Sequence, residues 1–153
     1  MKRDPRLRDL SDDHHLALAR VRRAMRAASG TGGQSLDDAW AEVRRRFDLE
    51  LGPHFAIEEQ LLLPALEVSE ALGLAALAAR IRDDHAMVRE LATGKGSDPR
   101  AQLRALCEHL EKHIRFEERE VFGRAERELP GTLLEAIALA TREKRTATPR
   151  ERH

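Results

Sequence analysis

The chain has no tyrosine, one tryptophan, four phenylalanines and a single cysteine, Cys107, among 153 residues. A lone cysteine excludes an internal disulfide framework and fits a reducing, cytoplasmic compartment. Charge of one sign is not in excess either: 27 Lys and Arg face 27 Asp and Glu. That balance argues against nucleic acid as the partner, because phosphate binding wants a basic surplus. No apolar run approaches the roughly 20 residues that span a bilayer. The first ten residues, MKRDPRLRDL, lack the apolar stretch of a secretory signal. Nothing alternates like a strand, and β-branched residues are sparse. Neither a Gly-rich phosphate loop nor a Ser or Cys nucleophile constellation is visible. What is present is one domain's length of chain, 35% charged and 41% hydrophobic, carrying seven histidines.

Helical periodicity and helix punctuation dominate. Ser11 reads as an N-cap followed by Asp12 and Asp13, and Gly30 as the stop after Ser29. The capping box Ser35-Leu36-Asp37-Asp38 opens a second helix, which is expected to kink at Gly52-Pro53 and to end at Pro64. A third helix is predicted over 74–93. A fourth follows over 99–129, with Ser97 or Asp98 as cap and Pro99 in the first turn. Four long helices on short loops predict an all-α fold, an antiparallel up-down-up-down four-helix bundle over 8–129. A short additional C-terminal helix is expected within 130–142, and a disordered basic tail over 143–153.

Positions three, four and seven apart share a helix face. The core stripes are then His14, Leu18, Val21 and Met25 on the first helix, and Trp40, Val43, Phe47, Leu51, His54, Glu58 and Leu61 on the second. The third gives Leu74, Leu77, Ile81, His85 and Val88; the fourth gives Leu103, Leu106, Leu110, His113, Glu117 and Val121. His15 turns toward Arg22 and Arg26, and His109 lies at the edge of its stripe. Each helix therefore sets a histidine within an apolar seam, and two add a glutamate one turn later. A lone core histidine reads as a hydrogen-bonded structural residue. Six such groups converging from four helices read as a metal site, because buried carboxylates need a partner or an ion.

Imidazole and carboxylate together suit iron, manganese or zinc, and the near absence of thiol disfavours a zinc knuckle or an iron–sulfur cluster. Six ligands exceed the needs of one tetrahedral zinc, which favours a dinuclear centre with Glu58 and Glu117 as bridges. Ferritin-type sites use Glu-x-x-His, whereas the order here is His-x-x-x-Glu. Asp12, Asp13, Asp83 and Asp84 are read chiefly as caps or solvent-facing charges, with hydrogen bonds to the distal histidine nitrogens as the alternative. Cys107 reads as a small buried hydrophobe, and Arg44-Arg45-Arg46 as a solvated face.

Two internal echoes support a duplicated helix pair. HFAIEEQLLLPALE (54–67) matches HIRFEEREVFGRAE (113–126), and SDDHHLALARVR (11–22) matches RDDHAMVREL (82–91). In their order, SDDHH, PHFAIEE, RDDH and HIRFEE resemble the hemerythrin family, specifically the hemerythrin-like (HHE cation-binding) domains, over about residues 8–128. The resemblance implies a non-haem di-iron centre. His14 and His54 would hold one iron, His85 and His113 the other, with Glu58 and Glu117 bridging. It also exposes departures. Oxygen-carrying hemerythrins have a second histidine where Arg89 stands here, and end on His-x-x-x-x-Asp where this chain has His113 with Glu117 or Glu118. His109, Glu118 or a water would complete the ligand set, and His15 is the alternative on the first helix.

The expected function is therefore binding of O2 or another small ligand, or sensing or buffering of iron or redox state. An enzyme that reduces peroxide or handles NO is the alternative. A second alternative is a metal-responsive interaction module that docks elsewhere through Leu133, Leu134, Ile137 and Leu139.

Overall fold

The computed structural model describes residues 2–147, which form helices joined by short loops, with no strand among them. Helix α1 is Pro5–Ala28. Helix α2 is a composite of Leu36–Arg46, Phe47–Leu51, Gly52–Ile57, Glu58–Leu62 and Leu63–Val68. Helix α3 is Leu74–Ala92. Helix α4 joins Pro99–Phe116, Glu117–Val121 and Phe122–Glu128. Helix α5 is Gly131–Ala147.

The caps follow their chemistry. Ser35 accepts from the Asp38 amide at 3.1 Å, and Asp98 from that of Ala101 at 3.1 Å. The first helix, however, begins six residues before Ser11. Asp4 caps it by accepting from Arg6 N–H at 2.9 Å, and Pro5 fills its first position. Ser11 is thereby left inside the helix and buried, free to bond elsewhere.

Pro64 does not end α2 either. Two of the widened π turns stand immediately before the prolines' own turns: Phe47–Leu51 precedes Gly52-Pro53, and Glu58–Leu62 precedes Leu63-Pro64. In each, the amide at the turn's exit reaches five residues back, Gly52 to Phe47 and Leu63 to Glu58. A proline ring collides with the preceding turn of a regular α-helix. One extra residue in that turn lets the helix pass through. A third π turn, Glu117–Val121, falls at the matching place in α4 without a proline.

Buried apolar side chains form two clusters. One includes Leu7, Leu10, Leu62, Leu66, Ile81 and Val121. The other includes Val21, Trp40, Val88, Leu103, Leu106 and Ile114. Along α1 and α3 the first cluster precedes the second; along α2 and α4 the order is reversed. On α1 and α3 the buried histidine lies between the two clusters; on α2 and α4 it stands at their junction, one residue before Phe55 or Ile114, the last of the second cluster on each. Trp40 Nε1 donates to the Pro99 carbonyl at 3.0 Å, joining the starts of α2 and α4. Arg100 donates to the Ala28 carbonyl at 2.7 Å, closing the end of α1.

Helix α5 is longer than the expected 132–142 segment and includes residues 143–147 of the segment expected to be disordered; 148–153 lie outside the described residues. It lies against α1 and the middle of α2. Leu134 and Ile137 enter the first cluster with Leu133 packed beside them, so the apolar face available for docking elsewhere is used within the chain. Only Leu139 of the four remains exposed. Replacing the fully buried Ile137 by Ala should cost about 2–4 kcal/mol in denaturant unfolding; a loss under about 0.5 kcal/mol would mean that α5 adds nothing to the core.

Candidate metal centre

The structure gathers His14, His54, Glu58, His85, His113 and Glu117, all buried, into one layer. Two overlapping groups have nitrogen and oxygen atoms within 4.8 Å of one another: Glu58, His85, His113 and Glu117, and His14, His54 and Glu58. Glu58 belongs to both.

Every histidine of the layer is held by its Nδ1. His54 Nδ1 lies 3.0 Å from Asp13 Oδ2, and His113 Nδ1 lies 3.0 Å from Asp84 Oδ2. His85 Nδ1 lies 3.4 Å from Glu59 Oε2, and His14 Nδ1 lies 2.8 Å from Glu118 Oε1. The four bonds form a ring: α1 to α2, α2 to α3, α3 to α4, and α4 back to α1. A carboxylate accepts only, so each Nδ1 must donate, and each Nε2 is turned inward. His14 Nε2 lies 3.1 Å from His54 Nε2. Stacking fixes two of the ring planes: Phe55 lies 3.7 Å from His85 between centroids, and Phe122 lies 5.3 Å from His14.

The carboxylates of the ring are themselves anchored. Glu118 also accepts from the Ser11 hydroxyl and from Arg3 at 3.0 Å. Glu59 accepts from Arg89 at 2.9 Å. Asp13 pairs with Lys144, and Arg145 reaches Asp9 at 2.9 Å. Arg89, where the oxygen carriers have a histidine, thus acts on His85 through Glu59.

The centre of the layer is rich in acceptors. Both oxygens of Glu58, both of Glu117, and Nε2 of His85 and His113 are buried without a hydrogen bond. The nearest opposite groups, His113 Nε2 with Glu117 Oε1, and Glu58 Oε1 at 3.2 Å from His54 Nε2 and 3.4 Å from His85 Nε2, lie at ion-pair distance but outside bonding geometry. A buried polar group left unpaired costs about 1–3 kcal/mol. Four carboxylate oxygens converging with no hydrogen bond on one region fit a cation, and the nitrogen and oxygen donor set around them suits a divalent transition metal.

Electrostatics in the chain without an ion point the same way. Burial opposes charge on His54 and His113. The carboxylates of Glu58 and Asp13 nonetheless raise His54 to about 9, and those of Glu117 and Asp84 raise His113 to about 10. Burial would also raise Asp13, yet His54 and Lys144 hold it at about 2. Burial and the neighbouring Glu58 push Glu117 up, while Glu58, equally buried but facing His54, is held well below the ordinary carboxyl range. Protons on the histidines stand where a cation's charge would otherwise be.

Of the other candidates, His15 is 76% exposed beside Asp12, and half-buried His109 falls outside both groups. Glu118 turns its carboxylate to the Nδ1 side of His14, supporting that ring instead of joining either group. Asp13 and Asp84 are corrections to the reading of the aspartates as caps; Asp12 and Asp83 are exposed. The roles of Ser11, Arg3, Glu59 and Lys144 were not foreseen. For Glu59 the signal existed: it is the second glutamate of the repeated Glu-Glu pair, as is Glu118. Cys107 is buried and free, with its thiol pushed up to about 12 by burial, and it joins neither group.

The family model for the hemerythrin HHE cation binding domain matches residues 6–125. Comparison with curated proteins and with solved structures finds no match.

The raised histidines carry a pH dependence. A group raised on folding stabilises fully below its unfolded value and loses that contribution as pH rises through the folded one. Without metal, the chain should therefore lose thermal stability as pH rises from 6.5 toward about 9 and 10. A melting temperature flat across that window would show that His54 and His113 hold no such protons.

Proposed function

The chain belongs to the family of hemerythrin HHE cation-binding domains, and from that premise we propose that it holds two iron ions in the His/Glu layer. There it binds O2 or another small molecule, or senses or buffers iron or redox state. The observation that carries this reading is the inward convergence of unpaired Glu58, Glu117, His85 and His113 atoms in a layer whose histidines are all held from outside. His14 and His54 would serve one ion and His85 and His113 the other, with Glu58 and Glu117 between them. Glu58's membership of both groups supports its bridging role. The reversed order of the two apolar clusters from helix to helix supports the antiparallel up-down-up-down bundle that the family reading implies. The buried free thiol of Cys107 is compatible with the reducing, cytoplasmic setting that belongs to this reading.

Iron would supply redox chemistry and affinity for small diatomic ligands. The chain's own part is to fix four imidazoles in the tautomer that offers Nε2, and to give up the His54 and His113 protons when a cation enters. Metal uptake should therefore release protons and tighten as pH rises toward about 9 to 10.

Metal analysis of protein purified without chelators should find about two metals per chain, with the visible absorption of ferric iron after loading in air. Manganese or zinc in its place would change the metal and keep the site. One metal per chain, or unchanged content in a His54→Ala, His113→Ala double variant, would defeat the dinuclear assignment. Asp13→Asn should weaken metal binding about 10–100-fold while the fold persists; affinity equal to the parent's would make the Nδ1 ring ornamental.

An enzymatic reading, peroxide reduction or NO handling, is favoured by one observation: the His14, His54, Glu58 group offers fewer protein donors than the other. Mixing the iron-loaded protein with peroxide is expected to give a single stoichiometric reaction. Sustained turnover that disappears in Glu58→Ala would replace the binding reading with the enzymatic one.

A further inference from the structure

Beside the metal layer lies a cavity of about 350 Å³ between α1, α2 and α4. Its walls include Ala17, Val21, Ala24, Val43, Leu106 and Leu110, and His14 and His54 stand in its lining. Nothing in the layer's own geometry requires this space. An apolar cavity of about 150 Å³ already takes benzene, so this one holds far more than a diatomic gas needs. It falls within the range of volumes that bind small organic molecules, about 300–1,000 Å³.

Charged groups also line it, and all of them but Asp12, which lies beside exposed His15, are held in ion pairs. Arg20 and Arg46 each meet Glu50 at 3.1 Å. Lys144 meets Asp13, and Arg145 meets Asp9 at 2.9 Å. An occupant with a charge of its own would have to break one of these pairs, whereas a neutral body leaves them intact. The position matters as well. The lining histidines are those of the three-residue group, the end of the layer with fewer protein donors.

We propose that this cavity binds a neutral, apolar organic molecule of one- or two-ring size, or an aliphatic chain of similar volume, with one end against His14 and His54. Its neighbourhood to a metal rests on the reading above; binding in the cavity does not. Lys144 and Arg145 stand in its lining, so the C-terminal helix α5 forms part of the site's wall.

Titration calorimetry with 1-octanol and with octanoate, on the full chain both free of metal and iron-loaded, tests this. Octanol should bind both forms, with octanoate weaker by about ten-fold or more, the cost of burying its charge. Val43→Trp and Ala24→Leu each fill the space from a different helix. Either variant, if folded by its thermal transition, should lose octanol binding by about ten-fold and keep its metal content. In the loaded protein octanol should shift the iron absorption. The proposal is overturned if octanol fails to bind the parent chain, if octanoate binds as well or better, or if both folded variants bind like the parent. An unshifted iron spectrum would overturn the placement against His14 and His54. Octanol binding that persists in a chain unable to take up metal would sink the metal reading and leave the cavity standing.

Discussion

The Nδ1–carboxylate hydrogen bond, made four times, is the constraint on which the rest depends. Imidazole has two nitrogens and only one lone pair when neutral, so whichever nitrogen is bonded decides what the other can offer. Asp13, Glu59, Asp84 and Glu118 take the outer nitrogen of His54, His85, His113 and His14 in turn. Every inner nitrogen is thereby committed to the middle of the bundle. Had even one of these carboxylates been an amide, the tautomer of its histidine would be open.

Such an interior is expensive, and the fold is arranged around the expense. Two fully buried glutamates and four histidines interrupt the core, and the apolar clusters on either side keep water from diluting their fields. The π turns of α2 and α4 that begin at Glu58 and Glu117 mark where each helix departs from regular winding to present its carboxylate. The outer shell is charged as well: Arg3, Arg89 and Lys144 each neutralise a carboxylate that would otherwise carry its charge partly buried. The formal balance of 27 charges against 27 conceals this layering, in which sign alternates outward from the centre.

Much of this was legible in the sequence. Periodicity alone placed all six inward residues on core stripes, because a polar residue in an apolar seam stands out against its neighbours. What escaped was set by partners distant along the chain. Ser11 looks like a cap by its neighbours, but its hydroxyl answers Glu118, more than a hundred residues away. Asp12 and Asp13 are indistinguishable as a pair; only the rotation of α1 against α2 decides that Asp13 meets His54. Pro64 ends a helix by local rules, yet a widened turn just before it removes the clash. Lys144 sits in a stretch whose composition reads as tail, and it is helical because Leu134, Ile137 and Thr141 of the same helix find a core to enter.

The direction of the imidazole ring has a consequence for symmetry. Within each helix pair, α1 with α2 and α3 with α4, only one histidine is answered at home: Asp13 serves His54, and Asp84 serves His113. The other, His14 or His85, is served by the glutamate of the opposite half. A single helix hairpin bearing one repeat would be left with an unanswered imidazole on its flank. Two identical hairpins, related by a two-fold axis through the centre, would satisfy each other by the same pair of bonds, as isologous contacts do. The present chain carries that interface internally, each half completing its counterpart.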